Sequence, residues 1–125
     1  MCNVGLAMAP QFTILLVEDD ALVRDAVVEL LRRHGFIAFV AEDGATALRL
    51  LAQHPVDLLF TDVAMPGMNG FELARQARQL RPELRVLYMT GQGAQEGRGL
   101  RYGKLLQKPL RAAEILAEIV QALAG

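Results

Sequence analysis

Short apolar runs alternate with amphipathic stretches along this chain. Residues 12–17 (FTILLV) form a continuous β-rich run of strand length, followed at once by Glu18-Asp19-Asp20. Residues 20–34 then repeat apolar pairs every four positions: Leu22/Val23, Ala26/Val27 and Leu30/Leu31, the stripe of one helix face. Asp20 is placed to cap that helix and Gly35 to end it. Residues 36–41 predict a second strand. Residues 45–53 carry Ala45, Leu48 and Leu51/Ala52, a short helix stopped by His54-Pro55. A third strand is predicted over 57–61 and a helix over 71–80, ending before Arg81-Pro82. Residues 85–89 (RVLYM) read as a fourth strand and 104–107 as a short fifth. The last helix, over 112–124, keeps Ile115/Leu116, Ile119/Val120 and Leu123 on one face.

Strands that alternate with helices imply a parallel sheet covered on both faces, and buried parallel strands read as unbroken apolar runs. Right-handed crossovers then favour a doubly wound α/β fold: five parallel strands in the order 2-1-3-4-5. Such sheets bind ligands at the carboxyl ends of the strands, where the order reverses, here between strands one and three.

Composition narrows the class. The 125 residues are 53% hydrophobic and 22% charged, which suits one globular domain. Residues 1–11 read as a tail and 12–125 as the domain. The 13 Lys+Arg against 14 Asp+Glu leave a net charge of −1, which argues against a chain-wide grip on nucleic acid or on an anionic membrane. No apolar run approaches the roughly 20 residues that a bilayer requires. The single cysteine, Cys2, rules out an intrachain disulfide and a multi-cysteine zinc site, so a reducing, cytoplasmic setting is expected.

The chemistry lies at the strand ends. Strand one delivers Glu18-Asp19-Asp20, strand three Asp62, strand four Thr90 and strand five Lys108 to one rim. Each has an ordinary explanation alone, Asp20 as a helix cap above all, but together they make a set. Clustered carboxylates repel one another unless a cation lies among them. Oxygen-only ligands suit a hard cation such as Mg²⁺. A carboxylate beside Mg²⁺, a lysine and a hydroxyl is equipped for phosphoryl transfer, with the carboxylate as nucleophile.

Four motifs in this order, LLVEDD at 15–20, FTDVAMPGMNG at 60–70, MTG at 89–91 and QKP at 107–109, resemble the receiver domain of two-component response regulators over about residues 12–124. The resemblance implies a flavodoxin-like receiver fold. It implies Asp62 as phosphoacceptor, Glu18 and Asp19 as the acidic pair, and the main-chain carbonyl of Ala64 as a further ligand of Mg²⁺. Thr90 would bond a phosphoryl oxygen, and Lys108 would pair with the carboxylate or phosphoryl group. It implies a cis Lys108–Pro109 bond and a tight loop at Gly67 and Gly70. The partner would be a histidine kinase or a histidine phosphotransfer protein, with an unknown downstream protein target. Only self-phosphorylation and autodephosphorylation are expected, rather than enzymatic turnover.

Two departures from the resemblance stand out. The strand-five position three residues before Lys108, often Tyr or Phe in the family, is Leu105, so no ring there can swing to report a movement of Thr90. The stretch 91–103 (GQGAQEGRGLRYG) holds five glycines, so its helix, the fourth, is expected to be short or missing. Other readings fit less well. A flavin binder needs a phosphate-cradling loop where Glu-Asp-Asp stands. An aspartyl-phosphate phosphatase wants a second Asp where Ala64 stands, and the glycines of 91–97 lack dinucleotide-binding spacing. His34 and His54 sit at helix ends rather than in a metal site. Arg75, Arg78, Arg81 and Arg85 are expected to form a solvated face. No output domain is expected, which leaves two roles open: a standalone switch, or a relay or phosphate sink between histidine proteins.

Overall fold

The computed structural model describes residues 11–91 and 102–124. The strands are β1 (Thr13–Val17), β2 (Ile37–Ala41), β3 (Leu58–Asp62), β4 (Arg85–Thr90) and β5 (Gly103–Gln107). The helices are α1 (Ala21–Arg33), α2 (Gly44–Gln53), α3 (Gly70–Leu80) and α4 (Ala112–Ala124). All strands pair in parallel, in the order β2-β1-β3-β4-β5, as the alternating pattern implies. Four helices are thus present among the described residues, and the fourth in chain order, α4, is full length. The helix expected to be short or missing lay within 91–103, of which 92–101 fall outside the described residues; the tail over 1–11 falls there too, save Gln11.

Alternation along the central strands builds two cores. Leu15 and Val17 of β1, Leu59 of β3, and Val86 and Tyr88 of β4 face α2 and α3, meeting Ala47, Leu51, Leu73 and Ala77. Ile14, Leu16, Leu58, Phe60, Leu87 and Met89 face the other way, onto Val27 and Leu31 of α1 and Ile115, Ile119 and Leu123 of α4. Every residue of β1 and β3 is buried, which explains the apolar runs over 14–17 and 58–60.

Local chemistry sets the helix starts. Asp20 Oδ1 accepts from Leu22 N–H at 2.9 Å, Asp43 from Thr46 N–H and Asn69 from Glu72 N–H. The arginine series is not the solvated face the sequence implied. Arg81 donates to the carbonyls of Leu51 and His54, closing the end of α2. Arg78 donates to the Leu84 carbonyl at 3.0 Å and lies over the Tyr102 ring. Arg75, paired with Glu72, fits the expectation. The reason is placement: the end of α3 lies beside the carbonyls of Leu51, His54 and Leu84, which accept from the guanidinium groups.

Candidate functional site

The rim at the carboxyl ends of the strands gathers the expected side chains. β1 and β3 are neighbours, with Val17 in register with Thr61, so Glu18 and Asp62 emerge side by side. β3 and β4 are neighbours in turn, and Thr90 ends β4 one residue beyond the partner of Asp62. The Lys108 N–H donates to the Thr90 carbonyl at 2.7 Å, which docks the lysine at the same rim. The Lys108–Pro109 bond is cis.

Glu18, Asp19 and Asp62 each offer a carboxylate oxygen, and these oxygens all lie within 4.8 Å of one another. Glu18 and Asp62 are buried, whereas Asp19 is exposed. Asp20 is spent on its cap, so the third acidic residue of LLVEDD stays outside the cluster. Lys108 Nζ lies 2.8 Å from Glu18 Oε1 and 3.4 Å from Asp62 Oδ2. Glu18 Oε2 accepts from the Asp20 N–H at 3.1 Å, which fixes the other end of that carboxylate. Arg24 braces the turn by donating to the Glu18 carbonyl.

Sequence reasoning assigned Glu18 to the acidic pair and missed that it is the nearer partner of Lys108. The signal was its length: one methylene beyond an aspartate lets the carboxylate reach across the rim.

Burial pushes the Asp62 carboxyl up to about 6, helped by repulsion from Glu18 and opposed by Lys108. At neutral pH the ionised carboxylate is still the main form, hence a competent nucleophile. Burial alone would lower the Lys108 ammonium, but its contacts with Glu18 and Asp62 outweigh that and raise it, so it stays charged.

The loop that carries Ala64 is shaped by two glycines. Gly67 adopts φ +77, a left-handed conformation that side chains resist. Gly70 N–H donates to the Val63 carbonyl at 2.8 Å. A Cβ at Gly70 would collide with the Asp62 carbonyl oxygen, so only glycine lets α3 begin against β3. Ala64 is exposed at the mouth of the site. The donor set is all oxygen, with no histidine or cysteine in the cluster, which fits a hard divalent cation. No helix among the described residues is long and apolar enough to cross a membrane.

Comparison with known proteins agrees with this geometry. The family model of the response regulator receiver domain matches residues 14–120. The response regulator receiver protein CpdR of Brucella abortus is 36% identical over 114 residues, covering 88% of this chain and 95% of that protein. The transcriptional regulatory protein CreB of Escherichia coli is 34% identical over 111 residues, covering 86% of this chain; the chain spans 48% of its length. A CheY-like receiver domain protein from Methanospirillum hungatei superimposes with a TM-score of 0.86 at 26% identity, over 92% of this chain and 95% of that one.

Proposed function

The chain belongs to the response regulator receiver domain family of two-component systems, and from that premise we propose that it accepts a phosphoryl group on Asp62. The observation that carries this reading is the buried Asp62 carboxylate, held beside Glu18 and Asp19 on one side and Lys108 on the other.

The donor proposed is the phosphohistidine of a kinase or phosphotransfer protein. An Asp62 oxygen bonds to phosphorus as the phosphorus–nitrogen bond of the donor breaks, and the released imidazole takes a proton from solvent. Lys108 Nζ, already within 3.4 Å of Asp62, is placed to meet the charge of the transferring phosphoryl oxygens. Thr90, buried at the end of the neighbouring strand, is the proposed hydroxyl donor to one of those oxygens. Glu18, Asp19, Asp62 and the main-chain carbonyl of Ala64 would hold Mg²⁺, which when bound supplies positive charge against the same oxygens. Water then cleaves the acyl phosphate, releasing inorganic phosphate and restoring the Asp62 carboxylate, so the proposed role is that of a signalling acceptor rather than an enzyme with a separate substrate.

The test is incubation with Mg²⁺ and radiolabelled acetyl phosphate. Base-labile label is expected on the wild type and none on Asp62→Asn. Undiminished label on the variant would overturn the assignment.

A further inference from the structure

Arg24 stands in the opening turn of α1. A cation there faces the positive end of the helix dipole, so the position is electrostatically unfavourable. Among the described residues Arg24 forms no ion pair that would offset this. Its guanidinium donates instead to the main-chain carbonyl of Glu18 at 2.9 Å. That carbonyl belongs to the peptide unit joining Glu18 to Asp19, so the bond spans the turn that carries both.

Glu18 is held on every other side. Its N–H donates to the Ala41 carbonyl at 3.0 Å, Oε1 meets Lys108, and Oε2 accepts from the Asp20 N–H. Asp20 in turn caps α1. Asp19 differs. Its exposed carboxylate makes no hydrogen bond among the described residues, so the backbone on either side decides where it stands. Arg24 grips that backbone immediately before Asp19.

We propose that Arg24 is a positioning residue that sets the spacing of the Glu18 and Asp19 carboxylates, and with it the site's preference for Mg²⁺ over the larger Ca²⁺. This rests on the Mg²⁺ reading above. Mg²⁺ demands near-octahedral geometry at short oxygen distances, whereas Ca²⁺ accepts longer and less regular ones. A turn held at the Glu18 carbonyl keeps the carboxylates from spreading under their own repulsion. A turn released there lets them relax outward, which suits Ca²⁺. Two simpler roles predict something else. A residue that only stabilised α1 would leave both ion affinities of the folded protein unchanged. A residue that acted only as a positive charge would repel both divalent ions alike, so its removal would tighten both.

The test is a titration of the folded protein with MgCl₂ and, separately, CaCl₂, followed by the amide NMR shifts of residues 18–20 and 62. Arg24→Ala should weaken Mg²⁺ binding about tenfold and Ca²⁺ binding less than about threefold. Arg24→Met, which keeps the aliphatic stem but has no donor, should do the same and serves if Arg24→Ala does not fold. Arg24→Lys, which keeps a charged donor, should hold the ratio of the two affinities within about twofold of wild type. An unchanged ratio in Arg24→Met, or tighter Mg²⁺ binding in it, overturns this proposal alone. A wild type that binds neither ion brings down the Mg²⁺ reading and this proposal with it.

Discussion

At the amino-terminal end of the sheet, Asp57, Arg78 and Arg81 are tied to backbone; at the carboxyl end, Glu18, Asp62 and Lys108 are tied to one another. At the first end, Asp57 Oδ2 accepts from the Thr13 N–H at 2.8 Å while its own N–H donates to the Thr13 carbonyl. Arg81 and Arg78 hold the carbonyls of Leu51, His54 and Leu84. At the other end, Glu18, Asp19 and Asp62 crowd together, with Lys108 against the two buried ones. Backbone partners are fixed by the fold, so the first arrangement stabilises it. Like charges held at close range strain the fold, and such strain marks a site rather than a scaffold.

Removing Lys108 should exaggerate the contrast most. Lys108→Ala leaves two buried carboxylates without their cation, and breaking such a pair costs about 3–5 kcal/mol. Urea denaturation without divalent cation should show that loss, and Mg²⁺ should recover more stability in the variant than in wild type. An equal Mg²⁺ effect in both would show that the lysine does not offset the cluster.

The second prediction is a pH window. Asp62 titrates at about 6 in the folded chain, from an ordinary value of 3.8. Between roughly pH 4 and 6 the folded state therefore holds the proton that the unfolded state has released. Metal-free stability should fall as pH rises through that window and remain low above it. Urea midpoints from pH 4 to 7.5 should show the decline in wild type and lose that share of it in Asp62→Asn. Identical profiles would remove Asp62 as its source.

At the opposite end, Arg81→Ala removes a charged donor from two carbonyls and should cost about 1–2 kcal/mol. Phosphoryl labelling should stay at the wild-type level; a matching loss of labelling would mean the two ends are not separable. The smallest effect belongs to Arg75, half exposed and paired with Glu72 on its own helix. Arg75→Ala should shift stability by less than about 0.5 kcal/mol, checked by the same denaturation.

The carboxyl rim was far more legible in the sequence than the amino-terminal end. Asp62, Thr90 and Lys108 each follow an apolar run, and parallel topology sends every such residue to one edge. Asp20 announced itself as a cap, being polar at the boundary between two periodicities. Leu105 could be read as a missing ring, but the ring beside it at Tyr88 needs the β4–β5 register, which no local pattern encodes. The roles of Arg78, Arg81 and Asp57 were hidden for a similar reason. Their partners are backbone atoms distant in sequence, and backbone atoms carry no residue signal. Arg81 lies 27 and 30 positions from the two carbonyls it holds.

Synthesis proceeds from β1 to β5, and the strand order makes that sequence of events matter. β1 lies between β2 and β3, so the first three strands to emerge already form a contiguous block. That block carries Glu18, Asp19 and Asp62 together. Lys108 arrives much later, just past the edge strand β5, whose docking brings its N–H to Thr90 and its ammonium to Glu18. In chain order, the acidic cluster is therefore complete before the cation that offsets it. Docking of β5 is what brings that cation to the cluster.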